Sequence, residues 1–363
     1  MFELIKESPL FQISLTNKEL FHSNFLKWLF ENYPQIAETL FCKNDTEFKL
    51  SEVKREKESR KDLILIFTKG KQKQKIIIEN KFKSIPYFEQ LDRYKKDIKK
   101  NTTYVLLSLL EHNPDKSWIL LPYKQLSRHI ENFVPQIEET SLYHSTMVKD
   151  YLNVVNELIK IPLEINWSEE QYFYYAGHVE FKPYIDVRMH DFLSKAKFLQ
   201  MKHRLTLMIK ELGIDYSYVK EWYNGRAGDL YINEAYTTNG LIEFKYFLDD
   251  ALSIGVQVQG QKFCLFVEGK YQLNKMEEIA YSLFEKELWF NFNLYEEMEH
   301  VIYPLNGEWN TFKRKTGGSM KYRYVKIHNK KTEQILFGMV IYLNNIIQHK
   351  EKILSTIKIV GNK

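Results

Sequence analysis

Lys61-Asp62-Leu63-Ile64-Leu65-Ile66 and Ile76-Ile77-Ile78-Glu79-Asn80-Lys81 are the two stretches that decide the fold of the first part of the chain. Each is an apolar run of strand length, and the basic turn between them, around Gly70, predicts a β-hairpin. The first run has an acid at its start and the second has one at its end. Antiparallel pairing would therefore bring Asp62 alongside Glu79.

The residues at these strand ends are those that a metal-dependent phosphodiesterase needs. Because residues two apart on a strand share a face, Glu79 and Lys81 should project together, with Asn80 on the other side. Mg²⁺ prefers oxygen ligands, so Asp62, Glu79 and the backbone carbonyl of Asn80 form a candidate set for Mg²⁺ or Mn²⁺. The ion would activate a water, while Lys81 would position or deprotonate that water or stabilise the transition state. The alternative is two ordinary buried strands with charged ends.

Charge is concentrated around this candidate site. Residues 49–100 contain 17 Lys and Arg against eight Asp and Glu, although the whole chain has a net charge of only +5. A positive surface here suits a polyanion such as nucleic acid. The alternative is a solvated charged face, the usual role of lysine-rich runs.

Composition excludes several other classes of protein. A hydrophobic fraction of 44% over 363 residues predicts packed cores in about two domains. Two cysteines, Cys42 and Cys264, are too few for a disulfide framework, and no Cys or His pair has zinc spacing. The N-terminal residues lack the apolar core of a signal peptide, and the longest apolar run is far short of a membrane span. We therefore expect a soluble, cytoplasmic protein that does not enter a membrane.

Glycine usage divides the chain. Residues 1–165 contain one glycine, whereas residues 166–363 contain the other thirteen. The first part alternates helical and strand-like segments, which predicts an α/β domain with a mixed sheet. The second part, richer in strands and turns, predicts an α+β domain. We place the boundary at residue 165 and expect residues 166–363 to recognise substrate, form a homo-oligomer or regulate activity.

The pattern Asp62, sixteen residues, then Glu79-Asn80-Lys81 resembles the PD-(D/E)XK nuclease superfamily. Two further segments carry the resemblance. Gln90-Leu-Asp-Arg-Tyr94 looks like the Gln-xxx-Tyr element of the RecB-like branch, and the segment from Lys18 to Leu26 looks like the opening helix of that fold. The likeness covers roughly residues 1–135 and implies a restriction-endonuclease-like core, a mixed sheet flanked by helices.

The resemblance also implies roles for individual residues. Asp62, Glu79 and Glu19 would be the metal-associated acids, Lys81 would be the catalytic lysine, and Gln90 and Tyr94 would contact DNA. Each has an alternative reading. Glu19 also fits a capping box that begins at Thr16, Gln90 could be solvated, and Tyr94 could belong to the core.

The resemblance implies a nuclease that cleaves DNA rather than RNA, with endonuclease activity and a role in bacterial or phage defence or DNA processing as expectations. The alternative is a non-catalytic nucleic-acid-binding or assembly module that retains the fold.

Two patterns in the second part were also weighed. Asp229 followed by Glu243-Phe244-Lys245 repeats the acid and Glu-x-Lys spacing, but no Gln-xxx-Tyr segment follows, so we interpret it as chance alternation on a strand. The segment from Lys313 to Lys326 interleaves basic residues with tyrosines about a predicted turn at 316–319. It predicts either a nucleic-acid contact or an exposed basic hairpin.

Overall fold

The structure is a computed structural model that describes residues 8, 10–11, 19–55, 61–86, 88–95, 101–164, 182–219, 224–233, 240–295, 301–313, 318–327 and 330–361. The chain forms two compact units, one of Met1–Ile165 with Pro183–Phe192 and one of Asn166–Lys182 with Leu193–Lys363. The roles predicted for residues 1–165 and 166–363 stay predictions.

The first unit alternates helices and strands, as its sequence predicts. Its elements are α1 (Leu20–Asn32), α2 (Pro34–Phe41), β1 (Lys49–Lys54), β2 (Leu63–Lys69), β3 (Gln72–Lys81), α3 (Phe88–Lys95), β4 (Thr102–Ser108), β5 (Ile119–Pro122), α4 (Tyr123–Glu131), α5 (Val134–Thr140) and α6 (Leu142–Glu164). Two further helices follow, α7 (Lys182–Asp186) and α8 (His190–Glu211).

The five strands form one sheet in the order β1-β2-β3-β4-β5. The pairs β1–β2 and β2–β3 are antiparallel, whereas β3–β4 and β4–β5 are parallel. This confirms the predicted mixed α/β sheet flanked by helices and is consistent with a restriction-endonuclease-like fold.

The hairpin β2–β3 is longer than its sequence suggests. Lys69 pairs with Gln72, so only Gly70 and Lys71 form the turn, and Lys73 and Lys75 lie within β3 rather than in a loop. Gly70 has φ of 55°, in the left-handed region that favours glycine. The lysine-rich stretch is therefore strand on both sides of the turn.

Aliphatic side chains anchor β3 at the centre of the sheet. Ile76, Ile77 and Ile78 are almost fully buried, and Ile77 packs in one cluster with Leu91 of α3 and Trp118. This apolar support fixes the strand that ends in Glu79-Asn80-Lys81. The polar end of β3 therefore lies on a rigid element.

The second unit is built on a seven-stranded sheet. Its strands are β6 (Ser217–Tyr218), β7 (Asp229–Asn233), β8 (Ile242–Phe247), β9 (Leu252–Gln259), β10 (Lys262–Gly269), β11 (Asn310–Lys313) and β12 (Ser319–Lys326). The order is β11-β12-β10-β9-β8-β7-β6, antiparallel except for β6–β7. Two more helices, α9 (Leu273–Glu285) and α10 (Thr332–Gly361), pack with α8 on one face of the sheet. No helix in the described ranges has the length and apolarity to cross a bilayer.

Candidate active site

Asp62 lies beside the end of β3, the strand that carries Glu79 and Lys81. Leu63 pairs with Ile78, so Asp62, one residue before β2, lies level with the end of β3. Its Oδ2 accepts a hydrogen bond of 2.7 Å from the backbone N–H of Asn80. The antiparallel register thus places the two acids at the same end of the sheet, where the sequence predicts them.

Glu79 and Lys81 form a buried ion pair. They occupy alternate positions of β3 and therefore share a face. Lys81 Nζ lies 2.9 Å from Glu79 Oε1, and the two side chains are only 8% and 2% exposed. The second oxygen, Glu79 Oε2, is buried without a hydrogen-bond partner in the part of the chain that the structure describes. A buried carboxylate oxygen without a donor is costly unless a proton or a cation reaches it.

Burial and neighbouring charge set the protonation of this pair. Burial raises the pKa of Glu79 to about 8, with Lys81 acting against the shift and Asp62 and Glu19 adding to it. Burial lowers the pKa of Lys81, but the surrounding carboxylates, Glu79 first, outweigh it and raise that pKa above its ordinary value. Lys81 is therefore charged at neutral pH, while the carboxyl of Glu79 is poised to exchange a proton for another cation.

Helix α3 contributes Gln90 and Tyr94 to the same face. Gln90 Nε2 donates to Glu79 Oε1 at 2.8 Å and to the Tyr94 hydroxyl at 3.3 Å. Burial raises the pKa of Tyr94, and the carboxylate of Glu79 adds to the shift. Tyr94 also packs against the apolar cluster beneath β3, so it serves both the core and the site.

The side chain of Asn80 projects to the opposite face and is fully buried. Its Nδ2 donates to the backbone carbonyl of Glu19 at 3.2 Å and to Ser23 Oγ at 3.1 Å, and its Oδ1 accepts from the Tyr123 hydroxyl at 2.7 Å. These three bonds tie the end of β3 to the start of α1 and to α4. Sequence analysis considered only the backbone of Asn80 and missed this network.

Glu19 lies at the start of α1 and faces the site. The helix begins at Leu20, so Glu19 is the N-cap residue itself, and its side chain makes no capping hydrogen bond. Instead its carboxylate accepts a short hydrogen bond from Ser84, just after β3. Thr16, the other half of the predicted capping box, lies outside the described residues. The side chain of Glu19 therefore does not cap α1, and its role as a metal-associated acid stays a prediction.

His22, one turn along α1, faces the interior instead. Its ring stacks on Phe82 with centroids 3.6 Å apart, and its Nδ1 lies 3.2 Å from the Tyr151 hydroxyl. Burial, with help from Lys83, lowers its pKa well below the ordinary value. His22 is therefore a neutral structural residue.

The donors at the site are all oxygens, which suits a hard cation. Glu79 Oε2 is the orphaned oxygen, and Asp62 lies across the strand pair. Since the N–H and C=O of one strand residue point to the same side, the Asn80 carbonyl faces the side on which its N–H meets Asp62. As the described residues stand, no three His, Cys, Asp or Glu side chains already form a metal cluster. The donor chemistry of these oxygens fits a hard divalent cation such as Mg²⁺ or Mn²⁺.

The family model described as PD-(D/E)XK nuclease superfamily matches residues 10–153. That range contains both acidic strand ends, the lysine and the Gln90–Tyr94 helix. No curated protein and no solved structure matches the chain.

Proposed function

We propose that the protein is a metal-dependent nuclease that hydrolyses phosphodiester bonds in DNA, on the premise that residues 10–153 match the family model of the PD-(D/E)XK nuclease superfamily. One observation carries the proposal: in the buried Glu79–Lys81 pair, Glu79 Oε2 has no hydrogen-bond partner among the described residues, and the pair lies level with Asp62, which immediately precedes β2. The RecB-like branch, an endonucleolytic cut, a cytoplasmic location and a role in bacterial defence or DNA processing belong to the same proposal.

Asp62, Glu79 and the backbone carbonyl of Asn80 would hold the metal, with Glu19 assisting. When bound, Mg²⁺ or Mn²⁺ would supply water activation and charge neutralisation at the scissile phosphate. Asp62 has one oxygen committed to the Asn80 N–H, which orients its carboxylate toward β3.

Lys81 acts as a charged donor in this proposal. Its raised pKa supports a protonated ammonium that donates hydrogen bonds to the phosphoryl oxygens as negative charge develops on them. The ion pair with Glu79 fixes the position of Nζ. Hydrolysis then adds water across the P–O bond, and the leaving oxygen takes up a proton.

Gln90 and Tyr94 position the acid. Gln90 holds Glu79 Oε1, and Tyr94 holds Gln90, so Glu79 Oε2 is directed at the metal position. Contact between these two residues and DNA, which the family resemblance implies, remains part of the proposal. The second unit would recognise substrate, oligomerise or regulate.

Incubation of the purified protein with double-stranded DNA, single-stranded DNA and RNA, in Mg²⁺, Mn²⁺ or EDTA, tests the proposal. We expect cleavage of DNA with either metal and none in EDTA, and loss of cleavage in Glu79→Gln. Glu139→Gln, an exposed change on α5, is the control and should cleave normally.

Failure to cleave any substrate, or normal cleavage by Glu79→Gln, would overturn the proposal. Binding of DNA without cleavage would favour the non-catalytic module instead. The observation that favours this alternative is that no three His, Cys, Asp or Glu side chains form a metal cluster among the described residues.

A further inference from the structure

One face of the second sheet pairs two lysines directly. Lys262 opens β10 and Lys326 closes β12, and they are register partners on the antiparallel ladder. Their side chains therefore stand on the same face of the sheet. Like charges directly opposite each other on such a ladder are destabilising.

Two tyrosines hold these lysines in place. Lys262 Nζ lies 4.5 Å from the centroid of the Tyr324 ring, and Lys326 Nζ lies 4.9 Å from that of Tyr303. The two rings stack on each other with centroids 5.2 Å apart and planes 13° from parallel. The electron-rich face of each ring attracts the ammonium above it. The result is a preorganised pair of cations.

Among the residues that the structure describes, no carboxylate neutralises the pair. Within the described ranges neither Lys262 nor Lys326 forms an ion pair. The acid on this face nearest in register, Glu243 of β8, is held by Asn233 at 3.0 Å and lies 3.6 Å from Lys245. Lys262 is exposed and Lys326 is half-buried, so solvent and ligands can reach both.

The other two cations of β12 behave differently. Lys321 and Arg323 point to the helix-covered face and are 3% and 4% exposed. Lys321 pairs with Glu277 of α9 at 2.8 Å, and Arg323 donates to the Gly307 carbonyl at 2.8 Å. The basic residues of the segment from Lys313 to Lys326 therefore do not form one surface, because Lys321 and Arg323 lie on the opposite face of the sheet from Lys326. Residues 314–317 of that segment lie outside the described residues.

We propose that Lys262 and Lys326, held over Tyr324 and Tyr303, bind the phosphodiester backbone of a single nucleic-acid strand. A phosphate bound between the two ammonium groups would offset their mutual repulsion. Basic residues interleaved with aromatic rings are the usual composition of such sites. The identity of the anion as nucleic acid rests on the proposed function, whereas the attraction for an anion rests on the paired cations themselves.

The test measures binding in EDTA, so that cleavage plays no part. Anisotropy of a fluorescent single-stranded DNA is titrated at several salt concentrations with wild type and with the double variant Lys262→Gln/Lys326→Gln. We expect affinity to fall roughly tenfold and the slope of log K against log salt to decrease by about 1.4, since each phosphate contact on a single strand contributes about 0.7. Tyr324→Leu, which keeps both charges, should weaken binding less.

The matched control is Lys286→Gln/Lys352→Gln, which removes two exposed lysines of the same unit. If both double variants weaken binding equally, the effect is general charge and the inference is overturned. It is also overturned if inorganic phosphate displaces the strand as well as unlabelled DNA does, or if duplex binds more tightly than a single strand. Circular dichroism checks that each variant is folded.

The outcome is separable from that of the proposed nuclease. Cleavage by a protein whose Lys262→Gln/Lys326→Gln variant binds normally overturns this inference alone. Strand binding that depends on these lysines, in a protein that cleaves nothing, overturns the nuclease alone.

Discussion

The sequence Glu-x-Lys occurs on two strands of this protein, and the two copies are built differently. Glu79 and Lys81 end β3 of the first unit, whereas Glu243 and Lys245 open β8 of the second. In both, alternate positions put acid and lysine on one face, with N–O distances of 2.9 Å and 3.6 Å. All four residues are buried.

The neighbours differ. Lys245 Nζ lies 2.6 Å from Glu268 Oε2 on β10, and Glu243 accepts from Asn233 on β7. Asp229, the acid that precedes this copy, lies four residues along β7 from Asn233, the register partner of Glu243. At about 3.3 Å per residue this separation is roughly 13 Å. The Asp229 carboxylate accepts a hydrogen bond from the Arg226 N–H instead. This copy is a closed structural ion pair.

At β3 the preceding acid lies at the same end of the sheet as the pair, and one oxygen of Glu79 lacks a donor within the described ranges. Spacing along the chain thus decides little, because a half-buried strand yields Glu-x-Lys by simple alternation. What separates a candidate metal site from a salt bridge is the register of the neighbouring strand and an oxygen left for the ion.

The largest expected difference between the two copies is the loss of folding free energy when the lysine of each is replaced. Lys245→Met leaves Glu243 and Glu268 buried without their cation, which should cost about 3–5 kcal/mol. Lys81→Met should cost less, because the raised pKa of Glu79 lets that carboxyl take up a proton. Hydrogen exchange of peptides from β8 and from β3 measures the loss of stability at each ion pair separately. Equal losses in the two variants would contradict the distinction.

The sequence predicted the local parts of this contrast. Apolar runs marked β2 and β3, the acids at their ends marked the site, and the missing Gln-xxx-Tyr set the second copy apart. The prediction was weaker where contacts span long distances along the chain. Ser84 on Glu19, and Tyr123 on Asn80, join residues that no spacing rule links.

The fold shows the same limit. The helices α2 and α5 begin at or next to prolines and are only eight and seven residues long, which is too short for periodicity to reveal them. Alternating lysine and glutamine around Gly70 suggests a loop in isolation. Pairing with the apolar half of the hairpin makes it strand, and pairing is not a local property.

The rate of DNA cleavage should depend on Lys81 and not on Lys245. We expect Lys81→Met to lower the cleavage rate about 10²–10³-fold, the usual cost of losing one preorganised donor to developing charge. Lys245→Arg, which keeps the second ion pair and therefore the fold, should stay within about twofold of wild type. Single-turnover cleavage of labelled DNA measures both. A comparable loss in Lys245→Arg would show that the second copy also takes part in activity.

The residue between acid and lysine provides a smaller test. Phe244 is core in the second copy, whereas Asn80 makes three hydrogen bonds behind the site. Asn80→Ala should lower the affinity for the metal about 10–100-fold, which is the typical effect of losing a residue that supports a metal ligand. Tyr123→Phe should lower that affinity less. Mn²⁺ titration by calorimetry, alongside the metal dependence of cleavage, measures the change. A lower rate at unchanged metal affinity would show that Asn80 supports only the fold.

The last expected effect is a pH dependence that belongs to Glu79. Its pKa rises from the ordinary 4.5 to about 8 in the folded protein, so the folded state binds the proton more tightly than the unfolded state. The stabilisation is complete below pH 4.5 and declines as pH rises to 8. In EDTA the melting temperature should fall across this window, by about 2–4 °C for each kcal/mol lost.

Glu79→Gln should flatten that dependence, because the amide mimics the protonated acid at every pH. Glu243→Gln should retain it, since Glu79 is intact there. Mg²⁺ added to wild type at pH 8 should restore part of the lost stability, because the ion replaces the proton at the same oxygen. A melting temperature that responds to pH alike in wild type and Glu79→Gln would mean that Glu79 carries its charge in the folded state without cost. Its unpartnered oxygen would then no longer mark the metal position.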